Sequence, residues 1–140
     1  MKALTLHAPW AHSVAWLGKP LENRGWPPPL SIVGERIAIH AGLSESQIEW
    51  RRIDLILAKL NATMPDAPIN LGMIAPVARG ALVCTAIVGS PVTESDSPWW
   101  IGPIGWPLID VRRLPEPIPC KGRLGLWTLP EAVSTRLETP

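Results

Sequence analysis

The segment LGKPLENRGWPPP, residues 17–29, gathers a lysine, a glutamate, an asparagine and an arginine within six positions. An apolar helical run precedes it and a triple proline ends it. Charged residues make up only 18% of the chain, so their concentration where the backbone enters a core needs a reason. If residues 21–26 are extended, alternation puts Glu22, Arg24 and Trp26 on one face and Leu21 and Asn23 on the other. Leu21 then anchors to the core and Glu22 pairs with Arg24. Lys19 stands at the turn from helix to strand with its ammonium in water. Burying such charges costs several kcal/mol per ion unless they are paired and hydrogen-bonded. Two uses fit. One is an ion pair that closes a sheet. The other is a polar cleft, in which the cations hold phosphate or a base oxygen, the carboxylate meets base amino groups or moves a proton, and Trp26 stacks.

The flanks set that segment in a fold. Residues 2–7, KALTLH, alternate as a short strand. In APWAHSVAWLG, residues 8–18, Trp10, Val14 and Leu17 share a helix face, with Pro9 suited to the first turn and Gly18 to the C-terminal cap. Residues 19–26 are extended again until the prolines deny donors to a ladder. Residues 30–40, LSIVGERIAIH, form the next strand region, with Gly34 as a turn or bulge. The clearest helix is SESQIEWRRIDLILAKLNA, residues 44–62, capped by Ser44 with Gln47 as its capping-box partner and striped by Ile48, Ile53, Ile56 and Leu60. Its nearly balanced charges suit a solvated face.

A Pro-rich loop, residues 63–77, leads to the β-branched central strand GALVCTAIVGSPV, residues 80–92. A long loop, TESDSPWWIGPIGW, spans residues 93–106. After it, PLIDVRRLP (107–115) reads as a strand, PIPCKG (117–122) as a connection, and RLGLWTLP (123–130) as a last strand. PEAVSTRLETP, residues 130–140, adds a short terminal helix. The chain is therefore expected to be a single α+β domain, residues 1–140, mainly β. Its expected form is a mixed β-barrel of five or six strands with two or three helices.

Composition narrows the function classes. A net charge of +1 gives no field for a bulk polyanion coat, so any nucleic-acid site must be a local patch. Eight Trp with no Phe and no Tyr leave some indoles free to stack on nucleobases. Arg112, Arg113, Lys121 and Arg123 fall within twelve residues and can form a phosphate-tracking rim. His40 ends its strand on the same side as Arg36, where it can contact phosphate or donate a proton. Trp99, Trp100 and Trp106 lie in or beside the long loop and can cap the barrel or form a stacking platform. Cys84 and Cys120 have neither metal spacing nor a secreted framework and are expected to be free thiols in a reducing compartment. No histidine or carboxylate pair has metal spacing, so no metal and no cofactor is expected. No segment has the layout of a signal peptide or approaches the ~20 apolar residues of a membrane span. A cytoplasmic protein with no membrane partner is expected.

LTLHAPWAHSVAWLGKPLENRGW resembles the opening of an ASCH domain, the activating-signal-cointegrator homology group of the PUA-like superfamily. Such domains begin with a strand, a Pro-Trp helix and a Gly-x-Lys-x-x-Glu-x-Arg signature. Lys19, Glu22 and Arg24 match its spacing, while Gly18 directly precedes the lysine instead of standing two residues before it. IAIHAG and GWPLIDVRRLPEPIPCKGRLGLW extend the likeness, which covers about two-thirds of the chain. The resemblance implies a PUA-like β-barrel with a cleft beside the signature, and partners among RNA, single-stranded nucleic acid, nucleotides and nucleosides. Ligand contacts are expected from Lys19, Glu22, Arg24, Trp26, His40, Trp106, Arg112 and Lys121. The alternative is a small hydrolase acting on RNA or on a modified nucleoside, with Lys19 or Glu22 transferring the proton. The family's N4-acetylcytidine amidohydrolases use the lysine, a threonine and a later-strand glutamate. Here Glu22 holds the threonine position and ALVCTAIVG carries no glutamate. A protein-interaction domain using the Trp-rich loop is the third reading.

Overall fold

The computed structural model describes residues 1–138. In chain order these form β1 (Lys2–Leu6), α1 (Ala8–Trp16), β2 (Leu21–Arg24), β3 (Arg36–Ala41), α2 (Gln47–Thr63), β4 (Ala81–Val88), β5 (Ile104–Pro119), β6 (Leu126–Thr128) and α3 (Glu131–Glu138). The strands make one sheet in the order β2-β5-β4-β3-β1-β6, parallel between β1 and β3 and antiparallel elsewhere. It curls into a half-barrel, which is the mainly β, mixed α+β architecture expected from the sequence. Residues 139 and 140, the end of the expected terminal helix, lie outside the described residues. No helix among the described residues is long and apolar enough to cross a membrane.

Alternation along the strands distributes the core over both faces. Leu4 and Leu6 of β1 and Ile37, Ile39 and Ala41 of β3 pack under Ala11, Val14 and Ala15 of α1. The opposite face sends Ala3, Ala38, Leu82 and Trp127 towards Val133 and Leu137 of α3. With both faces covered, β4 reads as a continuous apolar run. A third cluster joins Leu17 at the end of α1 to Ile53, Ile56 and Leu57 of α2 and to Trp99.

Several local expectations change. Leu30–Ile32 is one 3-10 turn instead of strand, and after it Gly34 turns at φ +87°. The α2 cap is Ser46, not Ser44: its Oγ accepts from Glu49 N, and its hydroxyl donates to the Glu49 carboxylate. Starting two residues later leaves Ile48 75% exposed, and the buried stripe runs through Ile53, Ile56 and Leu57. The segments expected as a strand and a connection after residue 106 are one long strand, β5. Arg113 pairs with Cys84 and Ile118 with Leu82, so residues 114–117 bulge outward and Pro115 and Pro117 escape the ladder.

Candidate functional site

The end of β1, the start of α1, β2 and the loop at residues 101–102 surround a pocket of about 750 Å³. Lys19, Glu22, Arg24 and Trp26 all line it, as do Trp10, Asn23, His7, Glu49 and Arg52. The polar residues of the opening segment therefore face one concavity.

Lys19 corrects the sequence expectation. Gly18, at φ +74°, turns the chain back beneath α1, and the Lys19 amide bonds the Ser13 carbonyl at 3.2 Å. The side chain is thereby 1% exposed, not extended into water. Its Nζ donates to Glu22 Oε1 at 3.2 Å and sits 4.6 Å from the Trp10 ring centroid. Glu22 thus pairs with Lys19 instead of Arg24. The Asn23 amide also donates to Oε1, at 3.0 Å. Both bonds fall on the same oxygen, Oε1.

Among the described residues Arg24 has no carboxylate partner. Its guanidinium lies 5.5 Å from the ring centroids of both Trp26 and Trp106, and its Nε is buried without a hydrogen bond. Trp106 is fully buried and donates from Nε1 to the Trp26 backbone carbonyl at 2.8 Å, which ties its indole to the main chain at Trp26. Trp26 is 60% exposed and keeps a free face. Trp106 lies beneath Arg24, not against the cavity. Asn23 fixes the neighbouring wall: its Oδ1 accepts from Ile101 N and Gly102 N, and its Nδ2 donates to the Trp99 carbonyl. Trp99 is buried against α2, while Trp100 packs beside Gly102 and Gly105. The long loop caps the core and presents no exposed Trp pair.

Opposite the opening segment, Glu49 Oε2 accepts from His7 Nδ1 at 2.9 Å. That bond places a proton on Nδ1, so in the neutral form of the ring the lone pair lies on Nε2. Sequence reasoning missed this pair, whose members are 42 residues apart. The available signal was His7 at the end of a strand, immediately before the Pro-Trp helix.

The other expected site residues lie elsewhere. His40 is buried on the far face of the sheet, with Nε2 donating to the Cys120 carbonyl at 2.7 Å and Nδ1 accepting from Thr5 Oγ1 at 3.3 Å. Thr5 in turn accepts from Trp127 Nε1 at 2.9 Å, and the His40 and Trp127 rings meet edge to face. Lys121 borders a second groove. Arg112 pairs with Asp110, which Arg36 also holds, so it does not join Lys121 in a single rim. Arg113 stacks on Trp16, 3.6 Å from the ring centroid.

His12 of α1 is fully buried. Its Nε2 donates to the Ala78 carbonyl at 2.8 Å, and Nδ1 has no partner among the described residues. Burial lowers its pKa below 6.5, partly opposed by that hydrogen bond. Both cysteines are free, and burial pushes the Cys84 thiol up to about 12. No group of three or more His, Cys, Asp or Glu residues that could hold a metal occurs among the described residues.

Among known proteins, no family model matches the chain and no curated protein matches it.

Proposed function

We propose that the pocket binds a nucleotide, either free or as an unpaired base of a nucleic-acid strand, with RNA the favoured source. One observation carries this reading: an arginine held between two indoles, with no carboxylate among the described residues to neutralise it, inside a cavity of about 750 Å³. That volume is within the ~300–1,000 Å³ of small-ligand sites. An uncompensated guanidinium calls for an anion, and phosphate is the anion its fork suits. Trp26 offers an exposed face for a base. Glu22 Oε2 accepts from base amino or sugar hydroxyl groups, while Lys19 positions the carboxylate without touching the ligand. The ASCH resemblance of the same Lys-x-x-Glu-x-Arg segment supports this assignment.

The test is a titration of intrinsic Trp fluorescence with the four 5′-mononucleotides and with the matching nucleosides. Saturable quenching by nucleotides, weakened about tenfold or more in Arg24→Ala, is the expected result. A charge-assisted hydrogen bond contributes ~1.5–3 kcal/mol. Equal binding of nucleoside and nucleotide, unaffected by Arg24→Ala, removes the phosphate assignment.

A second reading, hydrolysis of RNA or of a modified nucleoside, is favoured by the His7–Glu49 pair. A carboxylate-oriented imidazole with a free Nε2 is a general base in form. Lys19, enclosed and engaged, is poorly placed for proton transfer. Turnover lost in His7→Gln with nucleotide binding retained supports this reading; no turnover in the wild-type protein ends it.

A further inference from the structure

The second groove, of about 730 Å³, shares Thr5 and Leu124 with the Arg24 pocket, so the two cavities meet along those side chains. Its walls are apolar, with Leu43 and Leu124 78% and 96% exposed. Among the described residues Lys121 and Arg123 stand on its rim without ion pairs, and no carboxylate lines it.

The turn between the two cavities is firmly held. Thr5 N donates to the Gly125 carbonyl at 3.0 Å, and His40 Nε2 holds the Cys120 carbonyl. Gly122 lies so close to the His40 ring that a Cβ there would collide with it. His40 therefore positions the dividing turn from beneath, and the cations beside it sit on a fixed edge.

We propose that this groove is a second nucleotide subsite, continuous with the first. The ligand is then a single strand of two or more nucleotides, not a free nucleoside or mononucleotide. The inference rests on the nucleotide reading of the Arg24 pocket and names the ligand class of that site. Apolar walls accept a base, while unpaired cations with no opposing acid accept the phosphates on either side of it. Continuity at Leu124 lets one backbone pass from pocket to groove.

The experiment is calorimetric titration of the protein with 5′-UMP and with uridine and thymidine tetranucleotides, in the wild type and in Lys121→Gln/Arg123→Gln. Both side chains are exposed, and thermal melts verify that the variant is folded. The expected result is that at least one tetranucleotide binds about tenfold or more tightly than UMP. In the double variant that ratio falls towards one, and the salt slope drops by ~0.7 for each phosphate no longer neutralised. Tetranucleotides binding no more tightly than UMP overturn the second subsite and leave the first pocket standing. A ratio preserved in the double variant overturns it equally, because the added nucleotides then lie elsewhere. No binding of any ligand overturns the nucleotide reading itself.

Discussion

Replacing Lys19 by alanine tests the centre of the site through stability. Lys19 and Glu22 have side chains 1% and 9% exposed and meet at 3.2 Å. Removing the ammonium leaves the carboxylate in a site with little water, and the second bond on that oxygen, from Asn23 N, does not neutralise it. Breaking a buried pair from one side costs ~3–5 kcal/mol. With an unfolding entropy of ~2.1 cal/mol/K per residue, a chain of 140 residues loses about 3.4 °C of Tm per kcal/mol. Lys19→Ala therefore melts roughly 10–17 °C below wild type. Scanning calorimetry measures the shift. Lys19→Met/Glu22→Gln serves as the closing corner of a double-mutant cycle and should lose less than the sum of its single changes. A Tm for Lys19→Ala within about 3 °C of wild type, a loss near 1 kcal/mol, would show that the ammonium is solvated and the reasoning wrong.

Three further outcomes follow from single contacts. His12 is neutral in the fold and has a lowered pKa, so between that value and 6.5 the unfolded chain binds the extra proton. Stability should fall as pH drops through this window, by at most about 1.4 kcal/mol per pH unit, and His12→Gln should flatten the decline in Tm-against-pH melts. Ser46→Ala should cost ~1 kcal/mol and Ser44→Ala almost nothing in urea unfolding, because only Ser46 caps α2. Asn23→Ala removes three hydrogen bonds to the loop at residues 99–102, so amide exchange of Ile101 and Gly102 should accelerate while β4 stays protected.

The parts of the fold written in local chemistry were legible. Alternation marked β1, a β-branched apolar run marked β4, and Pro9 with Gly18 bounded α1 at both ends. The α2 cap was missed because Ser44-x-x-Gln47 and Ser46-x-x-Glu49 overlap as capping boxes, and packing of Ile53, Ile56 and Leu57 chose between them. The prolines of β5 argued for interruption, yet the bulge that absorbs two of them depends on β4, some 30 residues earlier. The same division holds in the site. Strand alternation grouped Glu22, Arg24 and Trp26, and all three line the pocket, but so does Asn23, which alternation put on the other face, and Trp26 lies beyond the end of β2. The burial of Lys19 depends on a turn geometry and on Trp10 from α1, and the His7–Glu49 pair on how α2 docks. His40 lies one residue inside the end of β3, and strand polarity alone did not say which cavity lay beyond it.

The most direct measurement of the central claim is a crystal structure of the protein grown with a bound 5′-mononucleotide. The account predicts density in the pocket of about 750 Å³, with phosphate on Arg24, the base against Trp26 and a donor on Glu22 Oε2. An empty pocket at a nucleotide concentration that saturates binding in solution, or a ligand seated away from Arg24, would contradict it.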